Sequence, residues 1–368
     1  MPILIGVLAL SVTAVAYPFL IYPLILGLLP VRPVAPVGKP KRPKAAVLIS
    51  ARNEQAYLPN KLTRLRQLQD LWPGLRILIW DDASTDGTAQ VLAAHADHVE
   101  VHRSQSQIGK TMALRNLHAR LGPDIDVLFF ADANTHAQPA AFLALARALD
   151  DPQVGAAAGT SVLTGGGTTL SRVYWALEER IKALESRSGS TIGCDGALWA
   201  VRRELYTPPE GYSSDDFTPS VGVLLSGHRV VSVADAIVRE AAVRDGFVPA
   251  RAMRIACGAW HGHRRIVRHL GQLSRLDQFK YRSHKLMRWF AGFWVLTGAL
   301  TMLFILALVG GPAALFVVAS AAAVGLLAGI PGVRTLSLIV LTFLATSWGI
   351  LRAELGHGIG HWDTMRDT

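Results

Sequence analysis

Three carboxylates stand at the ends of apolar runs in this chain. Asp81 and Asp82 close the run Leu75-Arg76-Ile77-Leu78-Ile79-Trp80, and fifty residues later Asp132 closes Val127-Leu128-Phe129-Phe130-Ala131. Short apolar runs of this kind read as buried strands, and acidic groups at their carboxyl ends sit at the edge of a parallel sheet where nucleotides and metals bind. A second acidic pair, Asp215–Asp216, stands in Ser213-Ser214-Asp215-Asp216-Phe217. The chemistry this local pattern implies is that of a nucleotide-sugar site.

Strands and helices must alternate to bring these groups together. Strands are expected at Ala45 to Ser50, Arg76 to Trp80, Val99 to His102 and Asp126 to Phe130. Helices are expected at Glu54 to Gln69, Thr88 to His95, Lys110 to Leu121 and Pro139 to Leu149, the first with Leu58, Leu62, Leu65 and Leu68 on one face. This alternation predicts an α/β domain over 45–260 with a mostly parallel sheet covered by helices.

The rest of the chain is too apolar for a plain soluble enzyme, with 51% hydrophobic residues and a mean hydropathy of +0.30. No charge occurs from Ile3 to Leu29, enough helix to cross a hydrocarbon core of roughly 30 Å. A basic n-region and a small-residue cleavage site are both missing, so 1–31 reads as an uncleaved transmembrane anchor rather than a signal peptide. Residues 289–351 are again almost uncharged, and Gly310-Gly311-Pro312 and Pro331-Gly332 divide them into about three spans, near 289–309, 313–330 and 335–351. A tail, 352–368, follows.

Basic residues explain the formal charge of +10. Arg32, Lys39, Lys41, Arg42 and Lys44 follow the first span, and Arg264 through Arg288 precede the second, so both clusters flank the middle domain. The positive-inside bias then puts that domain in the cytoplasm and the chain in the cell (inner) membrane as a multi-pass protein. Segment 261–288 interleaves basic residues with Ile266, Leu270, Leu273, Leu276, Phe279 and Leu286, the pattern of an interfacial amphipathic helix. A nucleic-acid role is disfavoured, because the basic residues gather at the membrane flanks and not on the domain. The two cysteines, Cys194 and Cys257, have no CxxC spacing, which argues against a disulfide framework or a zinc site, and Cys194 lacks a partner His and reads as a small buried hydrophobe. The His261–His263 pair beside Trp260 reads as surface rather than as metal ligands.

Five motifs in order carry a resemblance. Ala51-Arg52-Asn53-Glu54, Asp81-Asp82-Ala83-Ser84-Thr85-Asp86-Gly87-Thr88, Gly109-Lys110, Asp132-Ala133-Asn134 and Ser214-Asp215-Asp216 together resemble a membrane-bound family 2 glycosyltransferase over roughly 45–260. The resemblance implies a GT-A fold, a nucleotide-diphosphate sugar donor, a divalent cation (Mn²⁺ or Mg²⁺) and an inverting reaction. By resemblance Asn53, Glu54, Asp81 and Asp82 hold the nucleoside side of the donor, with Asp81 orienting the turn, although Asn53 and Glu54 would serve equally as a helix cap. Gly109 lets the backbone approach and Lys110 meets phosphate. Asp132 is the metal ligand, with Asn134 standing where the family usually has a second Asp. Asp216 occupies the base position, with Asp215 the runner-up. Gly193 to Arg203 resembles a glycine-containing strand beside the acceptor pocket.

Processive synthases of the family carry Gln-x-x-Arg-Trp where this chain has Arg251-Ala252-Met253-Arg254-Ile255. Arg254 keeps a cation for the diphosphate, but the aromatic floor for a growing glycan is gone. One transfer to a lipid or lipid-linked acceptor is therefore expected, with a processive polysaccharide synthase or a non-catalytic nucleotide-binding scaffold as alternatives.

Overall fold

The structure, a computed structural model, describes residues 1–165, 169–328 and 330–359. The expected tail element His361 to Arg366 lies outside the described residues. At the centre is one eight-stranded sheet: β1 (Ala45–Ala51), β2 (Arg76–Asp81), β3 (Glu100–Arg103), β4 (Val127–Ala131), β5 (His136–Ala137), β6 (Val154–Thr164), β7 (Leu198–Arg202) and β8 (Arg229–Ala241). Their spatial order is β3-β2-β1-β4-β7-β6-β8-β5. The β1–β2, β1–β4, β2–β3 and β6–β8 pairings are parallel, and β4–β7, β6–β7 and β5–β8 are antiparallel. The sheet is mixed, with its four-stranded leading half wholly parallel.

Alternation within each strand sorts the core into two layers. Val47, Ile49, Ile77, Ile79 and Phe129 face Leu58, Leu62, Leu65, Phe142 and Leu145. Ala46, Leu48, Leu78, Trp80, Leu128 and Phe130 face Leu114, Leu117 and Trp199. Strands covered on both faces read as continuous apolar runs, which is why β1, β2 and β4 stood out in the sequence. Chain order reverses beside β1, with β2 and β3 on one side and β4 on the other, and this switch point opens a crevice at the carboxyl ends of the strands.

The flanking helices differ from the expectation in three ways. First, the N-terminal run is two helices, Pro2–Ala16 and Ile21–Leu28, bent by 54°. Pro18 supplies no N–H to carry the first helix onward. Second, the expected break at Gly310-Gly311-Pro312 is a kink rather than a loop: Ala291–Leu327 is two helices joined where Gly311 leaves the helical conformation at φ 62° and ψ −169°, and Pro331–Glu354 follows. Third, 261–288 is not one amphipathic helix. It comprises the end of helix Val248–Ile266, a 3₁₀ stretch Val267–Gln272, helix Arg275–Lys280, a π-helical turn Tyr281–Leu286 and a last turn Met287–Trp289. Lys280, Tyr281 and His284 of this segment are buried in the protein. The domain is anchored to the apolar helices by close backbone approach, since a Cβ added at Gly349 would stand 2.3 Å from the Met253 carbonyl oxygen.

Candidate active site at the switch point

The turn after β2 is built around its two aspartates. Asp81 is buried, accepts the Ser84 N–H at 2.9 Å and lies 3.2 Å from Arg103 Nε, so it orients the turn. Asp82, also buried, accepts Ile108 N–H at 2.7 Å on Oδ1 and Gly109 N–H at 2.9 Å on Oδ2, with Ser104 Oγ at 3.1 Å. Its carboxylate ties the 104–109 loop to the end of β2. Gly109, at φ 86°, makes the bend that lets both amides reach one carboxylate.

The loop after β1 closes on the same turn. Asn53 accepts the Thr85 N–H at 2.8 Å through Oδ1, and its own N–H donates to Ser84 Oγ at 3.1 Å. Glu54 N–H donates to Thr88 Oγ1 at 2.8 Å. Arg52 donates to the carbonyls of Asp82 and Ala83 at 2.7 and 2.8 Å. Asn53 and Ala83 both adopt φ 53°, a conformation that costs a non-glycine residue energy and persists only where its surroundings enforce it. The helix cap is not the role of Asn53, because Leu58–Leu71 starts after Tyr57 with no side-chain cap. Ser50, Arg52, Glu54, Asp82, Gln107, Gly109 and Lys110 line the resulting cleft.

A second cluster adjoins it. Lys110, the first residue of helix Lys110–His118, places Nζ 2.6 Å from Asp132 Oδ1 and 2.8 Å from Asp215 Oδ2. Burial works against its charge, but Asp132, Asp215 and Asp216 outweigh burial and hold its pKa above the ordinary lysine value. Asp216 caps helix Phe217–Leu225, accepting the Phe217 N–H on Oδ1, and Ser214 Oγ donates to the same atom. Burial, then the neighbouring Asp215, push the Asp216 carboxyl up to about 6. Gly196 stands against all of them: a Cβ there would lie 2.8 Å from Lys110 Nζ, 3.3 Å from Asp216 Oδ2 and 3.6 Å from Asp132 Oδ1. The missing side chain is what leaves room between the cation and the two carboxylates.

Beneath Asp132, buried Lys61 donates to the Thr135 carbonyl at 2.8 Å, and burial lowers its pKa to about 8 against the pull of Asp132 and Glu54. Asn134 is buried. Asp132 does not cap the following helix, whose cap residue is Gln138. Arg254, on helix Val248–Ile266, feels Asp132, Asp215 and Asp216, while burial and then Arg251 lower its pKa. Arg251 pairs with Glu240 of β8 at 2.8 Å.

The structure thus brings Glu54, Asp82, Gly109 and Lys110 to one cleft, with Asn53 and Asp81 holding the turn beside it, and joins Asp132 and Asp215 to it through Lys110. Two details differ from the sequence reading. Gly193 to Ala197 is a loop, and the strand begins at Leu198, because Gly193 turns the chain at φ 95°. His261 and His263 share nothing: His263 is buried and bonds Tyr281 Oη at 2.8 Å, whereas His261 reaches the His357 carbonyl at 3.2 Å. Sequence reasoning missed Ser50 and Gln107 in the cleft, Lys61 below it, and Glu240. Only Arg52 stood inside a noted motif.

Residues 46–207 match the sequence model of glycosyl transferase family 2. Over those residues the chain is similar to that family. The chain is similar to an N-acetylglucosaminyltransferase of Rhizobium leguminosarum bv. viciae, 26% identical over 216 residues that cover 53% of this chain and 50% of the relative. It therefore spans about half the length of that curated relative. Among solved structures, the mannosyltransferase PcManGT from Pyrobaculum calidifontis, in complex with GDP-Man and Mn²⁺, superposes with a TM-score of 0.73 at 21% identity, covering 96% of this chain and 99% of that one. At that identity the likeness is one of fold, and it runs beyond the glycosyltransferase domain into the flanking helices.

Proposed function

We propose that this glycosyltransferase moves a single sugar, with inversion, from a nucleotide-diphosphate donor to a lipid or lipid-linked acceptor at the cytoplasmic face of the inner membrane. The observation that carries the reading is the convergence of Lys110, Asp132, Asp215 and Asp216 around the side-chain-free Gly196. In this reading the cleft between β1 and the 104–109 loop takes the nucleoside, and Lys110 meets the diphosphate at the end of that cleft.

Asp216 is the base. Oδ1 is engaged by Ser214 and Phe217, while Oδ2 faces Gly196, where an added Cβ would stand 3.3 Å away. An acceptor hydroxyl placed there gives its proton to Oδ2 as its oxygen attacks the anomeric carbon. A carboxyl held near neutrality is suited to that exchange. A single displacement with one base and no protein nucleophile inverts the anomeric centre. The Cys194 thiol is no rival, because burial, then Asp195 and Asp216, raise its pKa.

A divalent cation fits the residues present. The oxygens of Asp132 and Asp215 converge on one cationic position, and hard ions such as Mg²⁺ are held by one or two carboxylates together with substrate phosphates. No group of three or more His, Cys, Asp or Glu side chains suited to a metal occurs among the described residues, and donor phosphates would supply further ligands. Asp132 and Asn134 would hold the ion, and bound Mn²⁺ or Mg²⁺ would neutralise charge on the departing diphosphate.

Two long apolar helices and the bent N-terminal pair have the length and composition to cross a membrane. Basic residues on the domain side of each support the cytoplasmic orientation. The test is incubation of the purified chain, with lipid extract, with radiolabelled UDP-, GDP- and dTDP-sugars and Mn²⁺ or Mg²⁺. One labelled lipid that chelator abolishes is expected. Polymer would favour a synthase, and nucleotide binding without turnover across the panel would overturn the transferase.

A further inference from the structure

Most polar side chains lining the cleft beside β1 are committed within the protein. Asp82 uses both oxygens on its own loop: Oδ1 takes the Ile108 N–H at 2.7 Å and Ser104 Oγ at 3.1 Å, and Oδ2 takes the Gly109 N–H at 2.9 Å. Arg52 is held by the carbonyls of Asp82 and Ala83, and Lys110 by Asp132 and Asp215. Glu54 is buried, and its charge acts on Lys61 beneath the cleft. Ser50 and Gln107 differ. Both line the cleft, and among the described residues neither side chain forms a hydrogen bond. The Ser50 hydroxyl can meet one atom of a ligand, whereas the Gln107 carboxamide presents an acceptor and a donor side by side.

The backbone on either side of Gln107 is fixed. Ser104 N–H donates to the Asp81 carbonyl at 3.1 Å, the Ile108 N–H that follows Gln107 is held by Asp82, and Gly109 then turns the loop at φ 86° into helix Lys110–His118. Gln105 and Ser106 are exposed, whereas Gln107 and Ile108 are half-buried, so the chain turns inward at Gln107. A half-buried amide on so firmly held a loop gives up water without gaining a partner in the protein, a loss that a ligand can make good. Lys110, at the diphosphate end of the cleft, lies three residues on, so the loop spans at most roughly 10 Å between the two. That leaves room for a ribose between the amide and the phosphates.

We propose that Gln107 reads the nucleobase of the sugar nucleotide, its carboxamide pairing with neighbouring donor and acceptor atoms of the base edge, and that Asp82 positions Gln107 instead of touching the base. The assignment rests on the transferase reading and names the residue that sets its choice of nucleotide. A base that matches the amide gains two hydrogen bonds, and one that does not leaves desolvated polar atoms unanswered.

The test is calorimetric affinity of the detergent-solubilised full chain for UDP, GDP, ADP and CDP with Mg²⁺, for the native protein, Gln107→Ala and Gln107→Leu. Leu keeps the bulk of the side chain and removes both polar atoms. The native protein should bind one of the four at least ~10-fold more tightly than the weakest. Both variants should lose most of that margin through weaker binding of the favoured nucleotide, with melting temperature unchanged because the amide has no partner in the fold. A margin that persists in both variants gives the base to another group, Asp82 foremost, and overturns the assignment. So does an equal loss for all four nucleotides, which would put Gln107 on the ribose or the phosphates, and so does a native protein that binds all four alike. If the native protein binds none of them, the transferase reading itself fails, and the assignment with it.

Discussion

Lys110 Nζ lies 2.6 Å from Asp132 Oδ1, so the residue read as the phosphate ligand and the residue read as the metal ligand already form a pair. The same ammonium holds Asp215, and the charge of Asp216 also acts on it. Replacing Lys110 with Met removes the cation that favours ionised carboxylates. The acid limb of the pH–rate profile, expected near the Asp216 value of about 6, should move to higher pH in Lys110→Met, alongside a fall in rate of at least ~100-fold. A limb that stays in place would show that Lys110 does not tune the base.

Asp216→Asn separates activity from stability. Its carboxyl is raised in the folded chain, so its contribution to stability is fully present below the unfolded value and is lost as pH rises through about 6. At pH 7 the fold carries the cost of a buried charge that Asn lacks, and Asn caps a helix as well as Asp does. Transfer should vanish while thermal unfolding at pH 7 shows a gain of about 1–3 kcal/mol. The gain should disappear at pH 4.

The Asp82 carboxylate binds two backbone amides and a hydroxyl of the 104–109 loop. Asp82→Ala leaves those donors unanswered, which costs about 2–4 kcal/mol, and it should abolish nucleotide binding measured by calorimetry. A stable variant that binds normally would refute the loop-tethering role.

Gly196→Ala tests the space between cation and base. The added methyl meets Lys110 Nζ at 2.8 Å and Asp216 Oδ2 at 3.3 Å, so activity should fall at least ~10-fold with little change in melting temperature. Asn134→Asp restores the second carboxylate usual in the family. It should lower the metal concentration for half-maximal activity by about ten-fold, with some loss of stability because Asn134 is buried.

The strands that carry the site were legible because each is buried on both faces and therefore continuously apolar: β1, β2 and β4 lie within a residue or two of their expected bounds. The motifs at their ends were legible for the same reason. Lys61 was not, because a lysine on the apolar face of a helix has no local mark, and only the carbonyls of Asp132 and Thr135 explain it. Glu240 and the 193–197 loop were hidden in the mixed half of the sheet, where β6, β7 and β8 pair across long sequence separations. The segment 261–288 misled for a different reason. Its alternation of basic and apolar residues matches a surface helix, yet Lys280 and His284 are drawn inward by the Glu185 carbonyl and carboxylate.

The most direct test of the central claim is sugar transfer by wild type and Asp216→Asn, with nucleoside-diphosphate affinity measured on the same preparations. The account predicts one labelled product from wild type, its loss by at least ~1,000-fold in Asp216→Asn, and equal nucleotide affinity in both. Transfer that survives in Asp216→Asn would contradict the assignment of the base and with it the mechanism built on the Lys110 cluster.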